Sequence, residues 1–155
     1  MIQRASAAAM FVSSPGGVLL DAVAVADAWV GPVAWTATDA PDTRERLDGR
    51  DVDWVQTEPA GRAPRDLLAE TRRARRVLVD RDTEWVVSAG TALAVPWFAA
   101  AAGLSIPSLW IETLNLHGRQ GRAAAICSRL AERVLVQRPD RLLAHRRAVL
   151  VGELY

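Results

Sequence analysis

The sequence predicts an α/β fold: a Rossmann-like parallel sheet of about seven strands with helices on both faces. Three observations carry this. Short apolar runs alternate along the chain with segments whose apolar residues recur at helical spacing. No charged residue falls between Trp85 and Ile111, as expected where parallel strands are buried on both faces. Glycine-bearing turns follow two of the apolar runs directly and lead into helical patterns, at Ser13 to Gly17 and at Ser88 to Thr91.

The elements follow in order. Ala7 to Ser13 reads as a strand, and Val18, Leu19, Ala22, Val23, Ala26 and Trp29 mark the inner face of a helix. Val33 to Thr38 is a second strand, Asp42 to Leu47 a short helix, and Asp53 to Gln56 a third strand. Gly61 and Pro64 mark a loop. Asp66 to Val79 is a long, arginine-rich helix with Leu67, Leu68, Thr71, Ala74, Val77 and Leu78 turned inward. Trp85 to Ser88, Leu93 to Ala102 and Ser108 to Ile111 form a buried β-α-β unit. Leu116 to Gly121 is a polar loop, followed by a helix over Ala123 to Arg133 and a strand over Val134 to Gln137. A turn at Arg138 to Asp140 leads into a short helix, Leu142 to Arg147, and a last strand, Ala148 to Val151.

At 155 residues the chain has the length of one domain, residues 1–155. Lys+Arg total 19 against Asp+Glu 18, a balance that argues against a nucleic-acid binder. Every lysine-or-arginine position is arginine, which excludes chemistry through a Schiff-base or P-loop lysine. One cysteine, Cys127, and two histidines are too few for a metal site, so no metal is expected. A lone cysteine fits a reducing compartment, hence the cytoplasm. The uncharged stretch is broken by Gly90, Pro96, Gly103 and Pro107, so it reads as a β-α-β unit and not as a membrane span. The apolar run near the N-terminus stops at Ser13 to Gly17, too early for a signal-peptide core. No segment is expected to anchor the chain, and any membrane contact would be peripheral, at the inner face of the cytoplasmic membrane.

Ligands of open parallel sheets sit at the carboxyl ends of the strands, where strand order reverses. The loops that leave the strands are therefore the informative ones. Ser14, Gly16 and Gly17 open a helix, where glycine backbone and the helix N-terminus favour an anion. Gly90 and Thr91 make a second turn of this kind. For each turn, ordinary strand-to-helix geometry is the competing reading. Glu112 ends an apolar strand; it is read either as a base orienting a hydroxyl or as a structural carboxylate. His117, Arg119 and Arg122 supply basic groups suited to a phosphorylated ligand, or else a solvated loop. Arg72, Arg73, Arg75 and Arg76 are either a surface for anionic lipid or a solvated helix face, with Asp80, Asp82 and Glu84 nearby.

These ordered stretches resemble the Alg14-like proteins and their bacterial exopolysaccharide counterparts, the accessory halves of split GT-B glycosyltransferases. The resemblance rests on Ser13 to Gly17 with Asp21; Val86 to Gly90 followed by Ala94-Val95-Pro96; Ile106-Pro107; Ile111-Glu112-Thr113; Gly121-Arg122; Val134 to Gln137; and Val151 to Tyr155. It implies the N-terminal half of a GT-B fold, handling a polyprenyl-linked sugar acceptor in polysaccharide or glycolipid biosynthesis. A separate Alg13-like chain would bind the UDP-sugar or other nucleotide sugar, and this chain would carry no cofactor and be inactive alone. The resemblance makes Glu112, and less strongly Asp21, the catalytic candidates. It also implies that the chain stops where a full enzyme would continue into its second half, with Leu154 and Tyr155 near the partner seam. The family pattern has Gly-Gly-His followed by an acid three positions on. Here Val18 takes the histidine position and the acid is Asp21 where glutamate is usual, so the contact from that histidine is missing. The eukaryotic members also carry a membrane anchor, and none is expected here. A stand-alone small-molecule or nucleotide-binding protein, or a scaffold without transferase activity, is the alternative.

Overall fold

The computed structural model describes residues 6–55, 63–112 and 121–152. The described residues form seven strands: β1 (Ala9–Ser13), β2 (Val33–Thr38), β3 (Val52–Val55), β4 (Trp85–Ser88), β5 (Ser108–Glu112), β6 (Arg133–Val136) and β7 (Ala148–Leu150). They make one sheet in the order β3-β2-β1-β4-β5-β6-β7, and every pairing is parallel. Five helices connect them: α1 (Gly17–Asp27), α2 (Pro41–Arg46), α3 (Pro64–Asp80), α4 (Ala94–Gly103) and α5 (Arg122–Leu130). The segment Pro139–Ala144 between β6 and β7 is a 3-10 turn.

Strand parity sorts the core into two layers. Met10, Val12, Val86, Trp110, Val134 and Val136 face one side. There they pack on Ala74 and Leu78 of α3, Trp97 and Phe98 of α4, and Cys127 of α5. Ala9, Phe11, Trp35, Ala37, Val87 and Ile111 face the other side and pack on Leu19, Ala22 and Ala26 of α1. Right-handed crossovers explain the division. The chain steps from β1 outward to β2 and β3 with its helices on one side. It then crosses through α3 to β4 and steps the other way, with its helices on the opposite side. Burying each of the large side chains Phe11, Trp35, Trp97, Phe98 and Trp110 contributes on the order of 1.5–3 kcal/mol.

Local signals account for most boundaries. Pro41 and Pro64 stand at the first turns of α2 and α3, where a missing N–H costs nothing, so both helices start earlier than their apolar patterns suggest. The helix expected to reach Arg133 ends at Leu130, because Arg133 already pairs with Leu109 in the sheet. The helix expected over Leu142 to Arg147 is replaced by the 3-10 turn, shifted three residues toward the N-terminus and started by Pro139. Gln56, Gly61 and the loop residues up to Gln120 that were assigned from sequence lie outside the described residues.

Candidate functional site

The sheet order reverses between β1 and β4, and this places the two glycine turns side by side at the carboxyl ends of adjacent strands. Gly16 has φ +99°, a conformation in which a side chain would be strained, and it opens α1. Among the described residues, Gly16 at the cap position of α1 supplies no side-chain cap bond and the first turn holds no acidic residue, so the N-terminal end keeps its positive polarity. Gly90 has φ +115°, and a Cβ there would lie 3.5 Å from Val18 Cγ1 and 4.0 Å from Trp110 Cζ2. The start of α1, the exit of β4 and the Trp110 side chain of β5 thus meet at Gly90. Ser88 ties the two strand ends together: its hydroxyl donates to the Val12 carbonyl (2.9 Å) and accepts from the Gly90 amide (3.4 Å).

The other sequence-derived residues fall around this point. Ser14 is buried at the end of β1. Gly17 is the first residue of α1. The Thr91 hydroxyl accepts from the Leu93 amide (3.2 Å), so it shapes the turn before α4; the helix itself begins at Ala94. Arg122 is exposed at the first position of α5, the helix that follows β5. Asp21 lies one turn into α1 and is sealed from solvent, on the buried side of the helix with Leu19 and Ala22. His117, Arg119, Leu154 and Tyr155 lie outside the described residues.

Glu112 is engaged on both carboxylate oxygens. Arg141 donates Nε to Oε1, and His145 places Nε2 2.5 Å from Oε2. The side chains of Glu112 and His145 are each only 6% exposed, and that of Arg141 28%. The pair clasps the β6-to-β7 connection onto the end of β5. Sequence reasoning singled out Glu112 but neither Arg141 nor His145. The only sequence signal for them is a histidine and arginines after a proline turn, which is uninformative without the third dimension.

Elsewhere the charged groups do structural work. Arg44 forks onto Asp39, which holds its guanidinium pKa above the ordinary value, and it stacks over Trp54 at 4.9 Å. Arg81 beside Asp51 holds the Asp51 carboxyl below its usual range. Burial pushes the Cys127 thiol up to about 12. No His/Cys/Asp/Glu cluster able to hold a metal occurs among the described residues. No helix among them is long and apolar enough to cross a membrane.

No family model and no curated protein matches the chain. Solved structures do match. MurG from Acinetobacter baumannii superposes with a TM-score of 0.75 at 24% identity, over 94% of this chain and 45% of that one. A UDP-GlcNAc 2-epimerase from Methanocaldococcus jannaschii gives 0.72 at 11% identity, over 94% of this chain and 45% of that one. A glycosyltransferase from Rickettsia africae gives 0.69 at 12%, over 96% of this chain and 43% of that one. The chain therefore has the fold of one half of a GT-B structure. It spans under half the length of the solved structures it matches.

Proposed function

We propose that the chain is the acceptor-side subunit of a two-component GT-B glycosyltransferase in polysaccharide or glycolipid biosynthesis. One observation supports this most: in a GT-B half-fold, the β1–β4 reversal joins two glycine turns with the uncapped N-terminus of α1. That cradle suits the phosphate of a polyprenyl-linked sugar acceptor, with Ser14, Gly16, Gly17, Gly90 and Thr91 around it and Arg122, exposed at the start of α5, as a further basic candidate. His117 and Arg119, outside the described residues, are the other basic candidates for such a ligand. Glu112 acts on the acceptor only if the clasp with Arg141 and His145 opens, and Asp21, buried in α1, is the weaker catalytic candidate. A separate nucleotide-sugar-binding chain supplies the UDP-sugar or related donor and docks across the strand ends, with Leu154 and Tyr155 at the seam.

Peripheral membrane contact in this reading falls on α3. Leu68, expected from the sequence on the inner face of α3, is instead 51% exposed, because Ala74 and Leu78 are the residues the helix buries; with Val79, 56% exposed, it lies at helical spacing from Arg72, Arg75 and Arg76. Such arginines contribute about 1 kcal/mol each at an anionic surface.

The test is to purify the tagged chain from its native cell. It should retain a second polypeptide, and polyprenyl-diphosphate-linked sugar plus UDP-sugar should turn over only when both are present. Turnover by the single chain, or none after a retained partner is added back, overturns the reading.

A further inference from the structure

A second basic region lies away from the β1–β4 crevice, between α5 and the lead-in to β7. It is an open cleft of about 500 Å³, lined by Ser128 and Arg129 of α5 and by His145, Arg146 and Arg147. Its charge is unbalanced. Arg147 donates to the Ala131 carbonyl (3.1 Å) and lies 3.6 Å from Glu132, but Arg129 and Arg146 are exposed and meet no carboxylate among the described residues. The imidazole of His145 is held from behind by Glu112, so the ring is fixed where it lines the cleft. Guanidinium groups converging on one space repel each other until an anion enters, and their planar forks match the oxygens of a phosphate. The volume lies within the range of small-ligand sites.

We propose that this cleft binds a phosphate-bearing ligand, at a site separate from the crevice at the strand reversal. The proposal stands on the cleft alone and does not need the glycosyltransferase reading. Two sources of phosphate suit the surroundings: a soluble diphosphate, or the headgroup of an anionic lipid. Leu143, 98% exposed, directly precedes the residues of the cleft wall, and Ile126, 43% exposed, lies one helical turn before Arg129. These apolar side chains are where the lipid source would touch and the soluble one would not.

Calorimetric titration of the full chain with inorganic pyrophosphate tests the site. The double variant Arg129→Glu/Arg146→Glu should weaken binding at least tenfold with its melting temperature unchanged, since both side chains are exposed. Arg72→Glu/Arg76→Glu on α3 should leave pyrophosphate binding intact. Sedimentation with phosphatidylglycerol vesicles, against phosphatidylcholine, assigns the source. If Leu143→Ser reduces vesicle binding while pyrophosphate affinity holds, the ligand is lipid-borne; if vesicle binding is indifferent to Leu143→Ser and to the arginine pair, it is soluble. No pyrophosphate binding at millimolar concentration, or equal binding by Arg129→Glu/Arg146→Glu, overturns the proposal.

Discussion

Replacing Glu112 removes the charge that holds the β6-to-β7 connection to the end of β5. Both of its oxygens are engaged, one by Arg141 and one by His145. Hydrogen bonds to a charged group contribute roughly 1.5–3 kcal/mol each, and breaking a buried pair by removing one partner costs about 3–5 kcal/mol. Two features reduce that range here. Arg141 is 28% exposed and can turn to water, and an amide at position 112 still accepts one bond. The expected cost is therefore about 2 kcal/mol for Glu112→Gln and about 3 kcal/mol for Glu112→Ala. For a chain of this size, 2 kcal/mol corresponds to a fall in melting temperature of roughly 4–8 °C. Urea unfolding gives the direct measurement: the midpoint should drop with the slope unchanged, because the surface exposed on unfolding is the same. His145→Gln should be nearly neutral in the Glu112→Ala background, since its partner is already gone. A change under about 0.5 kcal/mol for both Glu112 variants, the size of an ordinary surface substitution, would refute the clasp.

Four further outcomes follow from the structure. Cys127 is buried with its thiol pushed up to about 12, so a thiol reagent at neutral pH should leave the native protein unlabelled and label it fully in denaturant. Gly31→Ala should prevent folding or cost more than about 3 kcal/mol, because φ is +138° and the new Cβ would lie 2.3 Å from the Ala7 carbonyl oxygen. Gly90→Ala should cost about 1–2 kcal/mol by calorimetry, since φ is positive there too but its nearest neighbour is at ordinary contact distance. The Asp51 carboxyl is lowered, mainly by its bond to Arg81, so its contribution is complete above the ordinary value of 3.8 and fades as pH falls below it. Because Asp51 is 61% exposed, the stability gap between wild type and Asp51→Asn should be at most about 0.5 kcal/mol at pH 7, and should shrink in acid.

The alternation of strands and helices was legible because it is written in local periods, and neighbouring residues alone decide which face of an element is apolar. The glycine turns were legible for a related reason. Gly16 and Gly90 mark positive-φ positions, and a backbone conformation is a local property. The boundaries that moved show where local reading stops. Leu130 and Arg133 differ in state because Arg133 finds a partner in β5, and no pattern within α5 announces that pairing.

By itself, then, the sequence determined a parallel α/β fold, the positions of its turns, and Glu112 at the end of an apolar strand. The tertiary structure decided the order in which the strands lie, and with it that the turns after β1 and β4 are neighbours. It also decided what Glu112 meets: Arg141 and His145 stand 29 and 33 positions along the chain. The same holds for the cleft of Arg129, Arg146 and Arg147, whose charges come from a helix and from the approach to a strand. The physical reason is common to all three. A period or a dihedral preference is set within a few residues, whereas an ion pair or a shared cleft exists only once packing has closed the intervening chain into a loop and brought its ends within a few ångströms.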